Sequence, residues 1–564
     1  MSHAISSLDL IIVGLYFCLV FFIAWRVTVS ERRKSSGTVD SEDYFLAGKN
    51  LGWFVIGASL FASNIGSEHL VGLAGSGARG DMVAAQFEIL AAFMLIILGW
   101  IFVPFYLKSG VFTMPEFLER RYSSGARNYL SLISILAYIL TKISVTIFAG
   151  ALVFEVLGVS FWAGAVLVVL ATGVYTIFGG LRAVIYADMI QMFVFLIGSF
   201  SITFYGLEIL GGWDGMMDTI QQAAAADPQL ETTRFFNLWR PASDPDFPWT
   251  GILFGAPILG IWYWCTDQFI VQRVLSARNI SQARRGSLFG GFLKLTPLFL
   301  FVIPGVIAFA LAQKGAISLH GDPDKALPAM ITGFLPSGIR GLVLAGLLAA
   351  LMSSLSSVFN SCSTLFTIDF YKKWRPNASE RSLVTVGRLA TVLLVVLSLA
   401  WIPFMKAMME GSSFYRYLQS VQAYISPPIA AVFLLGLFYK RINARGALAA
   451  LWVGFGLGVS RLLLEYLSNA GTIHLENMAV LDWLVTMNFL HFAIFLFLVS
   501  ILVMILGSLT APAPEPSSLQ NLIFRRGESS EDPSKRNDLV WTATLILLIL
   551  AIWIWFSPLG LAGG

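Results

Sequence analysis

The chain has 564 residues, of which 57% are hydrophobic and only 12% charged, with a formal net charge of +4 and a mean hydropathy of +0.76. Soluble domains carry about a quarter charged residues, so a soluble globular protein is excluded, and an all-α protein crossing the lipid bilayer many times is specified. Most Lys and Arg sit in short loops, where they report orientation rather than a nucleic-acid surface.

Taken in order, about fourteen stretches reach the roughly 20 apolar residues a spanning helix needs. They lie near 8–28, 52–79, 82–107, 126–157, 160–179, 182–209, 250–273, 286–312, 338–370, 383–405, 412–438, 443–466, 486–508 and 538–558. The first has its basic residues, Arg26, Arg32, Arg33 and Lys34, after it rather than before, the wrong order for a cleavable signal. It is read as an uncleaved helix with its N-terminus outside. From that start every inside loop is basic, the C-terminus also falls outside, and the outside loop 210–249 is acidic and proline-rich. The 509–537 linker begins Thr-Ala-Pro-Ala-Pro-Glu-Pro and reads as a flexible cytoplasmic tether. The three cysteines, Cys18, Cys265 and Cys362, lie in apolar stretches and read as packing residues.

Ala62 to His69, Ala-Ser-Asn-Ile-Gly-Ser-Glu-His, interrupts the second span with polar groups that hydrocarbon penalises unless they are paired. A helix broken at mid-membrane is expected there, with freed carbonyls suited to sodium. A second irregular helix starts at 250–273, with Gly255, Pro257 and Gly260 ahead of Trp262-Tyr263-Trp264-Cys265-Thr266-Asp267-Gln268. Two such helices at corresponding positions point to inverted repeats with a site between them. The expected divisions are 1–51, an extra helix and cytoplasmic loop; 52–209, the first five core helices; 210–249, an extracellular loop; 250–438, the second five. Two peripheral helices in 439–508, the 509–537 linker and a last helix in 538–564 complete the chain.

Carbonyls at Ala62, Ile65 and Ala350 with the hydroxyls of Ser353 and Ser354 make a candidate sodium site, in a helix also rich in Ser356, Ser357 and Asn360. Ionisable residues within spans (Glu88, Lys142, Asp188, Asp267 and Lys294) are expected to face a cavity or a partner. Aromatic rings at 262–264 offer an apolar platform for a sugar or cyclic polyol. Gln419, ahead of Ser426-Pro427-Pro428, both donates and accepts toward a hydroxyl. No Walker loop, nucleophile–base pair or cofactor motif occurs, so neither ATP-driven pumping nor an enzyme is expected.

Asp43-Tyr-Phe-Leu-Ala-Gly-Lys49, Ala58-Ser-Leu-Phe-Ala-Ser-Asn-Ile-Gly66, Thr113-Met-Pro-Glu-Phe117, Tyr175-Thr-Ile-Phe-Gly-Gly180, Ile261 to Gln268, Ser353 to Ser357 and Pro427 to Leu435 resemble the sodium/glucose cotransporter family of sodium–solute symporters. The resemblance covers nearly the whole chain. It implies a LeuT-like core of five plus five inverted helices, with the first and sixth core helices broken. It implies substrate contacts at Asn64, His69, Glu88, Tyr263, Trp264, Lys294 and Gln419, with Tyr263 as the inner gate ring. It implies sodium ligands at Ala62, Ile65, Ala350, Ser353 and Ser354, and a second sodium near Asp188, Ser356 and Ser357. Arg416, Glu68 and Ile89 depart from the pattern of its sugar-transporting members. The expected function is sodium-coupled import of a monosaccharide across a bacterial cytoplasmic membrane. The alternatives are a symporter for myo-inositol or another small solute, and a membrane sensor that binds its solute without moving it.

Overall fold

The structure, a computed structural model, describes residues 5–34, 40–66, 68–156, 158–408, 414–469, 473, 478–523 and 535–563. Helix occupies each of the stretches read as spans. They begin with α1 (Ser7–Lys34), α2 (Trp53–Asn64), α3 (Ala74–Ala78), α4 (Met82–Ser109), α5 (Ser124–Ala137), α6 (Ser144–Val156), α7 (Phe161–Ile177) and α8 (Gly179–Leu210). Within the 210–249 loop lies α9 (Gly212–Ala226), and after it come α10 (Trp249–Phe254), α11 (Ala256–Gly260), α12 (Gln268–Leu275), α13 (Ile280–Gln313) and α14 (Ile339–Trp374). The chain closes with α15 (Glu380–Met408), α16 (Phe414–Phe438), α17 (Ala444–Asn469), α18 (Phe489–Leu509) and α19 (Lys535–Trp555). Among the described residues, ten helices are each long and apolar enough to cross a membrane unaided. The other expected spans are short or interrupted: α2 with α3, α5 with α6, α7, and α10 to α12.

Both anticipated breaks are present. α2 stops at Asn64, where Ile65 is extended (φ −75°, ψ 102°), and the chain resumes in a π-helical turn, Glu68–Leu73. Small and polar residues there compete with the helical ladder for backbone hydrogen bonds. The second break follows another π turn, Ile261–Thr266. It falls at Asp267 (φ −77°, ψ 128°), whose carboxylate accepts from Phe269 N at 3.2 Å and so caps α12. A third π turn, Tyr138–Ile143, joins α5 to α6. Such turns recur at functional sites. The spans read as 160–179 and 182–209 meet without a loop, at Gly180, whose φ of 58° and approach to Tyr44 O (2.6 Å from an added Cβ) exclude a side chain.

α14 is the central post, with 94% of its most apolar window buried, whereas α19, at 17%, lies on the periphery. α14 packs on α8, and the first half of α13 packs on α2, where Gly57 and Gly286 let the backbones touch. Exposed Leu389, Val392, Leu393 and Val396 form a helical stripe on α15, the mark of a lipid-facing surface. The 210–249 loop, expected to be extracellular, carries the 15-residue helix α9. Its buried Arg240 donates to Gly80 O (3.0 Å) and Asp81 Oδ1 (3.1 Å), pinning the loop to the turn that follows α3.

Candidate functional site

The break after Asn64 lies against α14. Ser354 Oγ donates to Ser63 O at 2.8 Å and to Ile65 O at 3.0 Å, so the hydroxyl sits among carbonyls released by the break. Ala62 and Ala350 are buried at 3% exposure, and Ser353 is fully buried. An unwound carbonyl set at the negative end of a half-helix, faced by hydroxyls, suits a desolvated monovalent cation. The structure thus brings Ile65 and Ser354 into contact. It adds the Ser63 carbonyl, which the residue pattern did not single out. Ser353 turns elsewhere, donating to Asp188 Oδ1 at 2.5 Å.

On the other side of the same break a cavity is lined by Asn64, His69, Phe87, Glu88, Met94, Tyr263, Trp264, Gln419 and Gln422. Asn64 Nδ2 donates to the Tyr263 hydroxyl at 2.6 Å, tying the two broken helices together. Asn64 Oδ1 is buried and accepts no hydrogen bond among the described residues. Gly66 N donates to His69 Nδ1 (3.3 Å), and His69 Nε2 lies 3.0 Å from Glu88 Oε1 and 3.4 Å from Lys294 Nζ. Lys294 is fully buried behind this layer; it pairs with Glu88 and stands 5.2 Å over the Trp264 ring. Six of the seven expected contacts line the cavity, and Lys294 acts on it through Glu88. Buried donors and acceptors beside two aromatic faces suit a neutral, polyhydroxylated solute. The side chains of Glu68 and Arg416 lie outside the described residues.

Asp188 does not meet Ser356 or Ser357 directly. Its carboxylate accepts from Ser59 Oγ and Ser353 Oγ, each at 2.5 Å, and pairs with Arg273 Nη2 at 3.4 Å. Arg273 also donates to Ser357, while Ser356 Oγ donates to Ser353 O within α14 (3.0 Å). Arg273 was missed because it stands at the end of an expected span, where a basic residue reads as an interfacial anchor.

Broken helices meeting at a buried polar site define a secondary transporter of the discontinuous-helix class. The sequence model of the sodium:solute symporter family matches residues 44–454, and the chain belongs to that family. It is 41% identical over 536 residues to sodium/glucose cotransporter 1 of Mus musculus, covering 90% of this chain and 80% of that protein. It is 41% identical over 539 residues to sodium/glucose cotransporter 4 of Danio rerio (91% and 80%), and 39% identical over 561 residues to sodium/glucose cotransporter 2 of Rattus norvegicus (94% and 82%). A sodium-coupled sialic acid symporter, solved substrate-bound and outward-open, superposes with a TM-score of 0.72 at 22% identity, covering 90% of this chain and 99% of that one. That likeness establishes the shared fold. The chain is therefore a multi-pass membrane transporter.

Proposed function

We propose that the protein imports a monosaccharide such as glucose or galactose by sodium-coupled alternating access. Sodium, as co-substrate, binds the carbonyls of Ala62, Ile65 and Ala350 and the hydroxyls of Ser353 and Ser354. The sugar binds Asn64, His69, Glu88, Tyr263, Trp264 and Gln419, with Lys294 pairing with Glu88 and holding it in place. The observation that carries this reading is the sharing of one break: Ser354 holds its carbonyls at 3.0 Å or less, and Asn64, between them, offers an unused oxygen to the cavity. Sodium then shifts the population only if it binds the outward-open state more tightly than the inward-open one. We place the first inverted repeat in 52–209 and the second in 250–438, both termini outside, in a bacterial cytoplasmic membrane.

The test is uptake of labelled glucose and galactose into proteoliposomes, with an inward sodium gradient or with choline in place of sodium. Accumulation only with sodium supports the proposal. Sodium-dependent uptake of myo-inositol alone would move the substrate, and binding without substrate-induced sodium current would make the protein a sensor. A second sodium at Asp188, Ser356 and Ser357 is retained because Asp188 already gathers two hydroxyls at 2.5 Å, one of them from Ser353 of the first ion site. It requires Arg273 to leave the carboxylate. A measured sodium-to-sugar flux ratio of two supports it, and a ratio of one removes it.

A further inference from the structure

We infer that Lys142 is the positioning residue of the cytoplasmic gate: its ammonium pins the Tyr263 ring closed beneath the cavity, and Asp267 holds the ammonium in place. The inference rests on the symport reading above. Tyr263 lines the cavity, whereas Lys142, Asp267 and Phe269 do not, and the same ring touches Lys142 and Phe269. Lys142 Nζ lies 3.9 Å from the centroid of Tyr263, 3.9 Å from that of Phe269 and 3.7 Å from Asp267 Oδ2.

The contacts come from both sides of a break. Tyr263 belongs to the π turn before it, Asp267 is the break itself, and Phe269 opens the helix after it. Lys142 reaches them from the π turn between α5 and α6. A desolvated ammonium on two ring faces is attracted to both. Asp267 Oδ2 is buried and accepts no hydrogen bond among the described residues, so the ammonium supplies its countercharge. The Tyr263 ring is therefore held at its hydroxyl by Asn64, beside the ion site, and on its face by Lys142. Loss of sodium frees the first hold; the sugar leaves toward the cytoplasm when the second also yields.

The experiment compares wild type, Lys142→Met, Lys142→Arg and Asp267→Asn in proteoliposomes loaded with labelled glucose. Two readouts are sodium-free efflux and sodium-driven accumulation. A third, which needs no sugar, is the alkylation rate of Cys362 in detergent with saturating sodium. Cys362 is fully buried, beside Ser361, which accepts from Gln272 of α12. Lys142→Met should raise sodium-free efflux and Cys362 alkylation at least tenfold, Asp267→Asn should raise both severalfold, and Lys142→Arg should stay within twofold of wild type. If Lys142→Met does not fold, Asp267→Asn carries the same test. Efflux and alkylation at wild-type levels in the folded methionine or asparagine variant overturn the gate. So does equal loss of accumulation in the methionine and arginine variants with Cys362 still protected. Wild-type vesicles that never accumulate sugar overturn the symport reading, and the gate with it.

Discussion

Ser354→Ala removes one oxygen from the junction of α14 with the first broken helix. In its place the Ser63 and Ile65 carbonyls lose a hydroxyl at 2.8 and 3.0 Å. The free-energy loss is that of a buried polar group deprived of its partner, about 1–3 kcal/mol. At 1.4 kcal/mol per factor of ten, half-maximal sodium for uptake should rise roughly 5- to 140-fold. The fold should persist, because α14 stays packed on α8 through its apolar neighbours and the lost hydroxyl leaves only a small cavity. The assay is labelled-sugar uptake in proteoliposomes across a sodium titration at constant ionic strength, with maximal uptake measured separately. A raised half-maximal sodium with near-normal maximal uptake supports ion ligation by Ser354. An unchanged sodium titration in a folded variant would refute the placement of the ion between Ile65 and α14.

Four further predictions follow from the same geometry. Gln419→Ala should weaken half-saturation by sugar about tenfold, the worth of one hydrogen bond to a bound hydroxyl, with the sodium titration unmoved; normal sugar affinity would remove Gln419 from the contact list. Lys294→Met should destabilise by about 3–5 kcal/mol, because Glu88 is left buried without its cation. Lys294→Met with Glu88→Gln should recover much of that in a thermal unfolding assay without restoring transport, and no recovery would argue against the pair. Gly77→Ala places a Cβ 2.1 Å from Val302 O, so α3 and α13 must separate, and a loss of about 1–3 kcal/mol should appear as a lowered unfolding temperature. Arg273→Met leaves Asp188 buried without its partner and should lower stability more than Gly77→Ala does; high sodium should restore part of it if Asp188 can take an ion.

Much of the architecture was legible because it is written in hydropathy and in its interruptions. A run of polar residues from Ser63 to His69 within apolar sequence admits few explanations, and the break is found at Ile65. The spans 160–179 and 182–209 imply a short loop between them; Gly180 instead turns the chain in a single residue. The partners of ionisable residues were less legible. Asp188 signalled a buried charge, but nothing local tells that Arg273, 85 positions away, reaches it. Ser353 and Ser354 are adjacent and chemically identical, yet on a helix neighbours diverge by about 100°. One faces Asp188 and the other faces Ile65. Which serine serves which partner is fixed by the rotation of α14 against α8 and α2, a property of the packed fold.

That rotation gives coupling its physical basis. The two serines connect one helix to two elements at once, Ser353 to α8 through Asp188 and Ser354 to the end of α2. Asn64, the last residue of α2, connects that end to Tyr263 on the other broken helix at 2.6 Å. On the symport reading, an ion between Ile65 and α14 fixes the end of α2 and so orients the Asn64 amide. With Nδ2 committed to Tyr263, its Oδ1 is presented to the cavity as an acceptor. Sodium and sugar need not touch to bind cooperatively; each stabilises the same orientation of one amide. By linkage the coupling is reciprocal, so sugar must raise sodium affinity by the factor by which sodium raises sugar affinity. Asn64→Ala should reduce that factor toward one while leaving each ligand some affinity of its own. Sodium titrations at zero and saturating sugar, in binding rather than transport mode, measure the factor directly. A factor unchanged in a folded Asn64→Ala protein would show that the coupling runs through another contact between the broken helices.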